Sequence, residues 1–237
     1  MNVLSEKRAF GALSSASRLE ILKLLYRKPL SVEEIAESVK LKPITVRHHL
    51  QQLEDAGFIE SYEERGHGVG RPKTYYHIAK EPVSVNFPKR RYLVLSDFLV
   101  RTLPLLLGRK RGDAFLRKVG RNMGEDVIGK LESSHNIKEW SFEAFKDYYV
   151  KGYNAEAGEE PEIAQTGDNL IVYRTHNCLF LELAIKMPDT VCDVLHDAFH
   201  EGIGDALGGK VKITRVTCKG HGAPYCEHRC EWRTSPS

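Results

Sequence analysis

The apolar positions of the first eighty residues recur at three- and four-residue intervals, the period of a helix with one buried face. Leu4–Leu13 reads as a short helical lead-in. Ser15 or Ser17 can cap the next helix, in which Leu19, Leu22 and Leu25 share a face until Lys28-Pro29-Leu30 breaks it. Ser31-Val-Glu-Glu34 has the form of a capping box and opens a helix that ends near Val39, with Ile35, Ala36 and Val39 turned inward. Leu41-Lys-Pro43 turns the chain into a further helix, whose Val46, Leu50 and Leu53 face a core. Ile44, Thr45, His48, Gln51 and Gln52 then fall on its other side, with Arg47 on the flank. Gly57 ends that helix as a left-handed cap. Phe58–Glu64 and Lys73–Ile78 read as two strands joined by the turn 65–72.

The remaining chain changes character twice. Residues 81–91 hold two prolines and the run Lys89-Arg-Arg91, the composition of a linker. Tyr92–Leu107 is strongly apolar and helical, with Pro104 forcing a kink or an early end. Gly108–Gly112 reads as a turn, and Asp113–Ser133 as a helix with Phe115, Leu116, Val119, Met123, Val127 and Leu131 as its buried stripe. Trp140 to Tyr153 reads as a third helix, its aromatics assigned to core packing. From Ile163 the pattern becomes that of strands: Gly167-Asp-Asn169 is a hairpin turn, and Leu170–His176 alternates. Asp189–Leu207 reads as a helix capped by Asp189 and ended by Gly208-Gly209. Lys210–Cys218 and Cys226–Arg233 are strands flanking a loop. The expected fold is mainly α with α+β. It comprises an N-terminal winged helix-turn-helix (residues 1–80), a linker (81–91), and a region 92–237 of helices followed by an α+β domain on an antiparallel sheet.

The polar face of the helix after Pro43 suits DNA. Thr, Arg, His and Gln hydrogen-bond to base edges or phosphates, and a helix of this kind fits the major groove. The candidate contacts are Lys42, Thr45, Arg47, His48 and Gln51, with Arg65, Arg71 and Lys73 of the hairpin on the flanking backbone or minor groove. Ser17-Arg-Leu-Glu-Ile-Leu-Lys-Leu-Leu25 and Thr45-Val-Arg-His-His-Leu-Gln-Gln-Leu53 resemble the first core helix and the recognition helix of ArsR-type winged helix-turn-helix regulators. Gly70-Arg-Pro-Lys73 resembles the wing tip of a subgroup that includes the SufR-type iron–sulfur regulators. The resemblance implies a dimer that binds a double-stranded operator, with residues 92–133 as the dimerising segment. Lys42 stands where the family commonly has a capping Ser; it cannot accept a hydrogen bond there and is read as a phosphate contact.

Charge agrees with that reading. Residues 1–91 carry 16 Lys and Arg against 11 Asp and Glu, and residues 92–237 carry 19 against 21, so the net +3 of the 237-residue chain sits in the helix-turn-helix half. No apolar run approaches the ~20 residues that cross a bilayer, and the start MNVLSEKRAF has no apolar core of a signal peptide. A cytoplasmic protein without a membrane partner is expected. The chain shows no glycine-rich phosphate loop, no nucleophile elbow and no HExxH, which argues against an enzyme.

All five cysteines, Cys178, Cys192, Cys218, Cys226 and Cys230, lie within 53 residues, at the ends of separate elements. In a cytosolic chain this favours metal or redox chemistry over structural disulfides. The spacing lacks the paired CxxC knuckles of a zinc ribbon. Cys218 and Cys226 would meet across a hairpin. Cys230 lies about 13 Å from Cys226 along a regular strand, which makes it the spectator. Cys192, in the first turn after Asp189, is expected to have a lowered pKa from the helix dipole. His196 and His200 follow it on the same flank, where they are either surface residues or partners in a mixed Cys/His zinc site. Asn177-Cys178, Pro188-Asp-Thr-Val-Cys192 and Cys218–Cys226 resemble the C-terminal layout of SufR-type regulators, and Gly-x-x-Tyr-Cys226 also resembles 4-vinyl reductase domains. The SufR-type resemblance implies that Cys178, Cys192 and Cys218, with Cys226 as the fourth candidate, hold an iron–sulfur cluster in a repressor, whereas the 4-vinyl reductase resemblance implies a small-molecule or redox-sensing module. The alternative is a sensor of zinc, thiol redox state or a small apolar ligand.

Overall fold

The computed structural model describes residues 3–64, 72–79 and 90–233, and forms two compact units, residues 1–90 and 91–237. The first unit contains α1 (Val3–Leu13), α2 (Ala16–Arg27), β1 (Leu30–Ser31), α3 (Val32–Val39), α4 (Pro43–Asp55), β2 (Ile59–Glu64) and β3 (Lys73–Ile78). Its antiparallel sheet has the order β1-β3-β2, and its core is built from Ile21, Leu22, Leu25, Ile35, Val46, Leu50, Leu53 and Ile59. This is a winged helix-turn-helix. Two sequence signals act as expected. The Ser31 side chain accepts from the Glu34 N–H, and the Glu34 carboxylate accepts from the Ser31 N–H at 2.8 Å. Gly57 takes φ +78°, and the following Phe58 N–H closes back on the Leu53 carbonyl at 3.0 Å. Leu19 departs from expectation: it is 43% exposed, and Ile21 takes its place in the core. Ser15 is the N-cap of α2 but makes no side-chain capping bond.

The second unit begins with α5 (Tyr92–Leu107) and α6 (Arg109–His135). Pro104 lies inside α5, and Gly108 alone separates the two helices, at φ +72°. The turn expected over Gly108–Gly112 is therefore the first turn of α6. Next come α7 (142–156), π-helical over Phe145–Tyr153, then β4 (Pro161–Thr166), β5 (Leu170–Thr175) and α8 (Leu181–Ala184). A long helix α9 (188–206) is π-helical over Val191–His196, and β6 (Val211–Thr217) and β7 (Cys226–Trp232) complete the unit. The sheet is antiparallel throughout, in the order β4-β5-β7-β6. Asp189 lies within the first turn of α9 and does not cap it; Met187 is the N-cap residue, with Pro188 opening the helix.

The buried stripe of α6 differs from the expected one. Phe115 and Met123 are 50% and 41% exposed, while Gly112, Gly120, Gly124, Val127, Ile128 and Leu131 are buried with Leu116. The cause is contact of backbones between α6 and α9. A Cβ at Gly120 would lie 2.3 Å from the Leu195 carbonyl oxygen, one at Gly124 2.2 Å from that of Phe199, and one at Gly202 2.1 Å from that of Arg121. Helices this close admit only glycine at the crossing. α5 buries none of its sixteen residues.

Candidate functional site

On the first unit, the buried Val46, Leu50 and Leu53 fix the roll of α4 and leave Lys42, Ile44, Arg47, His48 and Gln51 exposed, with Thr45 half-buried. Lys42 is the N-cap residue and makes no side-chain cap bond. Arg47 reaches Glu33 at 3.5 Å and Gln51 donates to Asp55 at 2.9 Å, both at the surface. Gln52, expected on the polar face, is half-buried and accepts from the Arg18 guanidinium. Lys73 is exposed at the start of β3, 3.7 Å from Glu34 and over the Tyr75 ring. Arg65 and Arg71 lie outside the described residues.

In the second unit the inner face of the sheet is layered. Along β7 the alternate residues Cys226, His228 and Cys230 are buried. Cys230 pairs in register with Ile171 and Ile213, His228 with Tyr173 and Arg215, and Cys226 with Thr175. α9 supplies the matching levels: Cys192 beside Cys218 and Cys226, then His196 and His200 beside His228, then Ile203 and Leu207 in the apolar core. The sheet and helix thus carry a cysteine level, a histidine level and an apolar level in the same order.

At the cysteine level four thiols form a chain of hydrogen-bonding contacts, Cys178 with Cys226, Cys226 with Cys218, and Cys218 with Cys192. Leu183, Ala184 and Val191 enclose Cys192, Cys218 and Cys226, with Cys178, Phe180 and Met187 packed against them. The four come from the turn after β5, from α9, from the end of β6 and from the start of β7. Cys230 takes no part; it is 1% exposed in the apolar core, where burial raises its thiol pKa.

The thiols are not equivalent. The hydrogen bond with Cys226 lowers the pKa of Cys178 despite its burial, and the Phe180 N–H adds to that effect. Cys226 is raised by the same contact and by burial. Cys192 is pushed up to about 12 by burial and by Cys218. The expectation for Cys192 is therefore overturned. A helix dipole supplies roughly 0.3–1 kcal/mol, whereas burial shifts such groups by as much as ~3–5 pKa units. The acidic thiol is Cys178, and sequence offered no sign of it. Lys219 is its nearby cation: burial lowers its own pKa, the charges of Cys226 and Cys178 oppose that shift, and its ammonium donates to the His176 carbonyl at 2.9 Å. The Lys219 N–H also donates to Cys226 Sγ at 3.3 Å. Gly220 completes the enclosure, because a Cβ there would lie 2.7 Å from Cys192 Sγ.

The four thiols touch in sequence, and among the described residues no three of their sulfurs lie within 4.8 Å of one another, so a metal bound by all four would have to draw them together. Tetrahedral zinc at Zn–S ≈ 2.3 Å sets its sulfurs about 3.8 Å apart, the scale of thiol–thiol contact. An iron–sulfur cluster interposes several atoms between its ligand sulfurs and needs them to spread, with Cys178, the least buried of the four, free to move outward. The histidines expected beside this set are not at its level. His200 and His228 are buried, and with His196 they converge on a point of their own, not on a surface flank.

Comparison with known proteins places the first unit. Residues 15–61 match the family model described as bacterial regulatory protein, arsR family, and form an ArsR-family helix-turn-helix domain. An uncharacterized HTH-type transcriptional regulator of Methanocaldococcus jannaschii is 40% identical over 61 residues, 26% of this chain and 64% of the relative. The match thus spans less than two thirds of that protein. Among solved structures, a 1–100 fragment of a possible transcriptional regulatory protein from Mycobacterium bovis is 27% identical, covering 42% of this chain and 94% of its own, with a TM-score of 0.28. The phenol-responsive sensory domain of the transcription activator PoxR is 13% identical, covering 66% of this chain and 80% of its own, with a TM-score of 0.46. Among the described residues no helix is long and apolar enough to cross a membrane.

Proposed function

From an ArsR-family helix-turn-helix at residues 15–61 we propose a DNA-binding transcription regulator, a repressor, whose second unit senses through the four-cysteine centre. The observation that carries the DNA-binding part is the orientation of α4. Val46, Leu50 and Leu53 are committed to the core, which leaves Lys42, Arg47, His48 and Gln51 exposed on the other side with the apolar Ile44 among them. Such a face fits the major groove, and Lys73 with the wing residues Arg65 and Arg71 fits the adjoining phosphates. Two copies joined through α5 would read an inverted repeat with half-sites about one helical turn apart.

The centre of Cys178, Cys192, Cys218 and Cys226 is proposed to hold an iron–sulfur cluster, as the resemblance to SufR-type regulators implies. A single zinc ion is the second reading; the closed wall at Gly220 suits a small ion, but the sulfurs would have to gather round it from their chain of pairwise contacts. In either case the metal would tie β5, α9 and the β6–β7 hairpin together, and its loss would free them, giving the second unit two states. With the metal absent, the acidic Cys178 beside Cys226 is also the pair that an oxidant would join first.

The DNA-binding reading is tested on genomic fragments selected by the full chain. The double change Arg47→Ala, His48→Ala should lower affinity at least tenfold and alter base preference, whereas Lys73→Ala should weaken all sequences alike and flatten the salt dependence. Unchanged affinity in the double variant would place the DNA-contacting surface elsewhere.

A further inference from the structure

We propose that His196, His200 and His228 form a second metal site, an all-imidazole centre for a borderline divalent ion of the zinc or cobalt kind, separate from the cysteines. Each of the three offers a ring nitrogen, and the three atoms lie within 4.8 Å of one another. The ring centroids are 4.5 Å apart for His196 and His200, 4.7 Å for His200 and His228, and 6.0 Å for His196 and His228. Tetrahedral zinc with Zn–N ≈ 2.0–2.1 Å brings ligand nitrogens to about 3.3 Å of each other, so small rotations of these rings close the site.

Burial without partners is the second observation. His200 is 4% exposed and His228 1%, yet among the described residues Nδ1 of His200 and both ring nitrogens of His228 have no hydrogen-bond partner. Buried polar atoms are normally paired, and an ion between the rings would satisfy one nitrogen of His228 together with a nitrogen of His200. The rings are in the ligand form. Burial lowers all three pKa values, His196 to about 4 despite the opposing charge of Asp197, and His196 further opposes protonation of His200 and His228. Neutral imidazole is what a zinc-type ion binds. Arg215, a cation at this level, is neutralised by Asp193 at 2.6 Å and Asp197 at 3.0 Å, so it does not repel an incoming ion strongly.

Local structure explains the convergence. The π-helical turn over Val191–His196 ends at His196, which stands one helical turn from His200 on the same side of the helix, and both meet His228 of β7. Such turns are frequent at functional sites. His196 also lines a pocket of about 50 Å³ with Met123, Tyr153, Glu159, Leu179 and Phe199, which His200 and His228 do not reach. Three histidines and one exchangeable ligand make an open site, whereas the cysteine centre supplies four protein ligands and is closed.

The test is a cobalt(II) titration of the full chain with its cysteine centre left as isolated. One equivalent per chain is expected with ligand-field bands and no sulfur-to-metal charge transfer. His200→Gln and His228→Gln should each abolish that equivalent and leave any thiolate-linked metal or cluster in place. Cys192→Ser should do the reverse. Absence of a sulfur-free equivalent in the wild-type chain overturns the proposal without recourse to any variant, and so does its retention in a folded histidine variant. Failure of the cysteine reading would appear separately, as missing sulfur charge transfer with the histidine equivalent intact.

Discussion

Gly220→Ala tests the cysteine centre without touching a thiol. The new Cβ would lie 2.7 Å from Cys192 Sγ, 3.1 Å from the Ala184 Cβ and 3.2 Å from the Ala184 carbonyl oxygen. Ordinary contact at such atoms is about 3.5–4.0 Å, so the sulfur must retreat by roughly 1 Å. In the metal-free chain Cys192 can do so by turning about χ1. With metal bound it cannot, because a ligand displaced by 1 Å leaves a bond of ≈ 2.3 Å. The strain is therefore concentrated in the loaded state. Overpacking of this kind costs about 1–3 kcal/mol, which corresponds to a loss of metal affinity of roughly 5- to 150-fold. The assay is competition with a chromophoric chelator under anaerobic conditions, with thermal denaturation of the metal-free chain as control. The metal-free transition should move little. Wild-type metal affinity in Gly220→Ala would refute the assignment of Cys192 as a ligand in the observed geometry.

Two further outcomes follow from particular residues. On α5, Phe98 and Leu99 are 62% and 53% exposed on a helix that buries nothing, so Phe98→Asp with Leu99→Asp should turn a dimer into a monomer in sedimentation; a wild-type monomer would remove this face as the interface. Glu159 has its carboxyl raised to about 8 by burial, with the charge of Cys226 adding to the effect, against an ordinary value of 4.5. Between those values the folded metal-free chain keeps a proton that the unfolded chain releases, so this contribution is complete below about 4.5 and is lost as pH rises to about 8. Glu159→Gln should flatten the decline of the urea midpoint across that window, and equal slopes in the two proteins would show that Glu159 does not titrate as stated.

Local signals in the first unit were legible because each acts within a few residues. The capping box at Ser31 and Glu34 and the left-handed Gly57 need no tertiary context. The stripe of α6 was misread because hydrophobicity ranks Phe115 and Met123 above glycine, whereas the close approach of α9 selects for absence of a side chain at Gly120 and Gly124. The spacing of those glycines, with Gly112, was the available signal. Thiol acidity was misassigned for a related reason. The position of Cys192 in the first helical turn is visible in sequence, but its enclosure by Val191, Ala184 and Cys218 is not. The histidine cluster escaped because the wheel puts His196 and His200 together on one flank but cannot show that β7 packs against it and brings His228 to them. Cys230 was separable from the other four on strand geometry alone, since alternation places it two levels deeper in the same sheet face.

The central claim is that the state of the cysteine centre sets the affinity of α4 for DNA. Anaerobic measurement of operator affinity for the full chain, with metal bound and after chelation, and for Cys192→Ser and Cys230→Ser, addresses it directly. The account predicts a metal-dependent change in affinity of at least fivefold, in the range of typical coupling energies. That change should be absent in Cys192→Ser and preserved in Cys230→Ser. Equal affinity with and without metal in the wild-type chain, or a response that disappears with Cys230 and survives loss of Cys192, would contradict it.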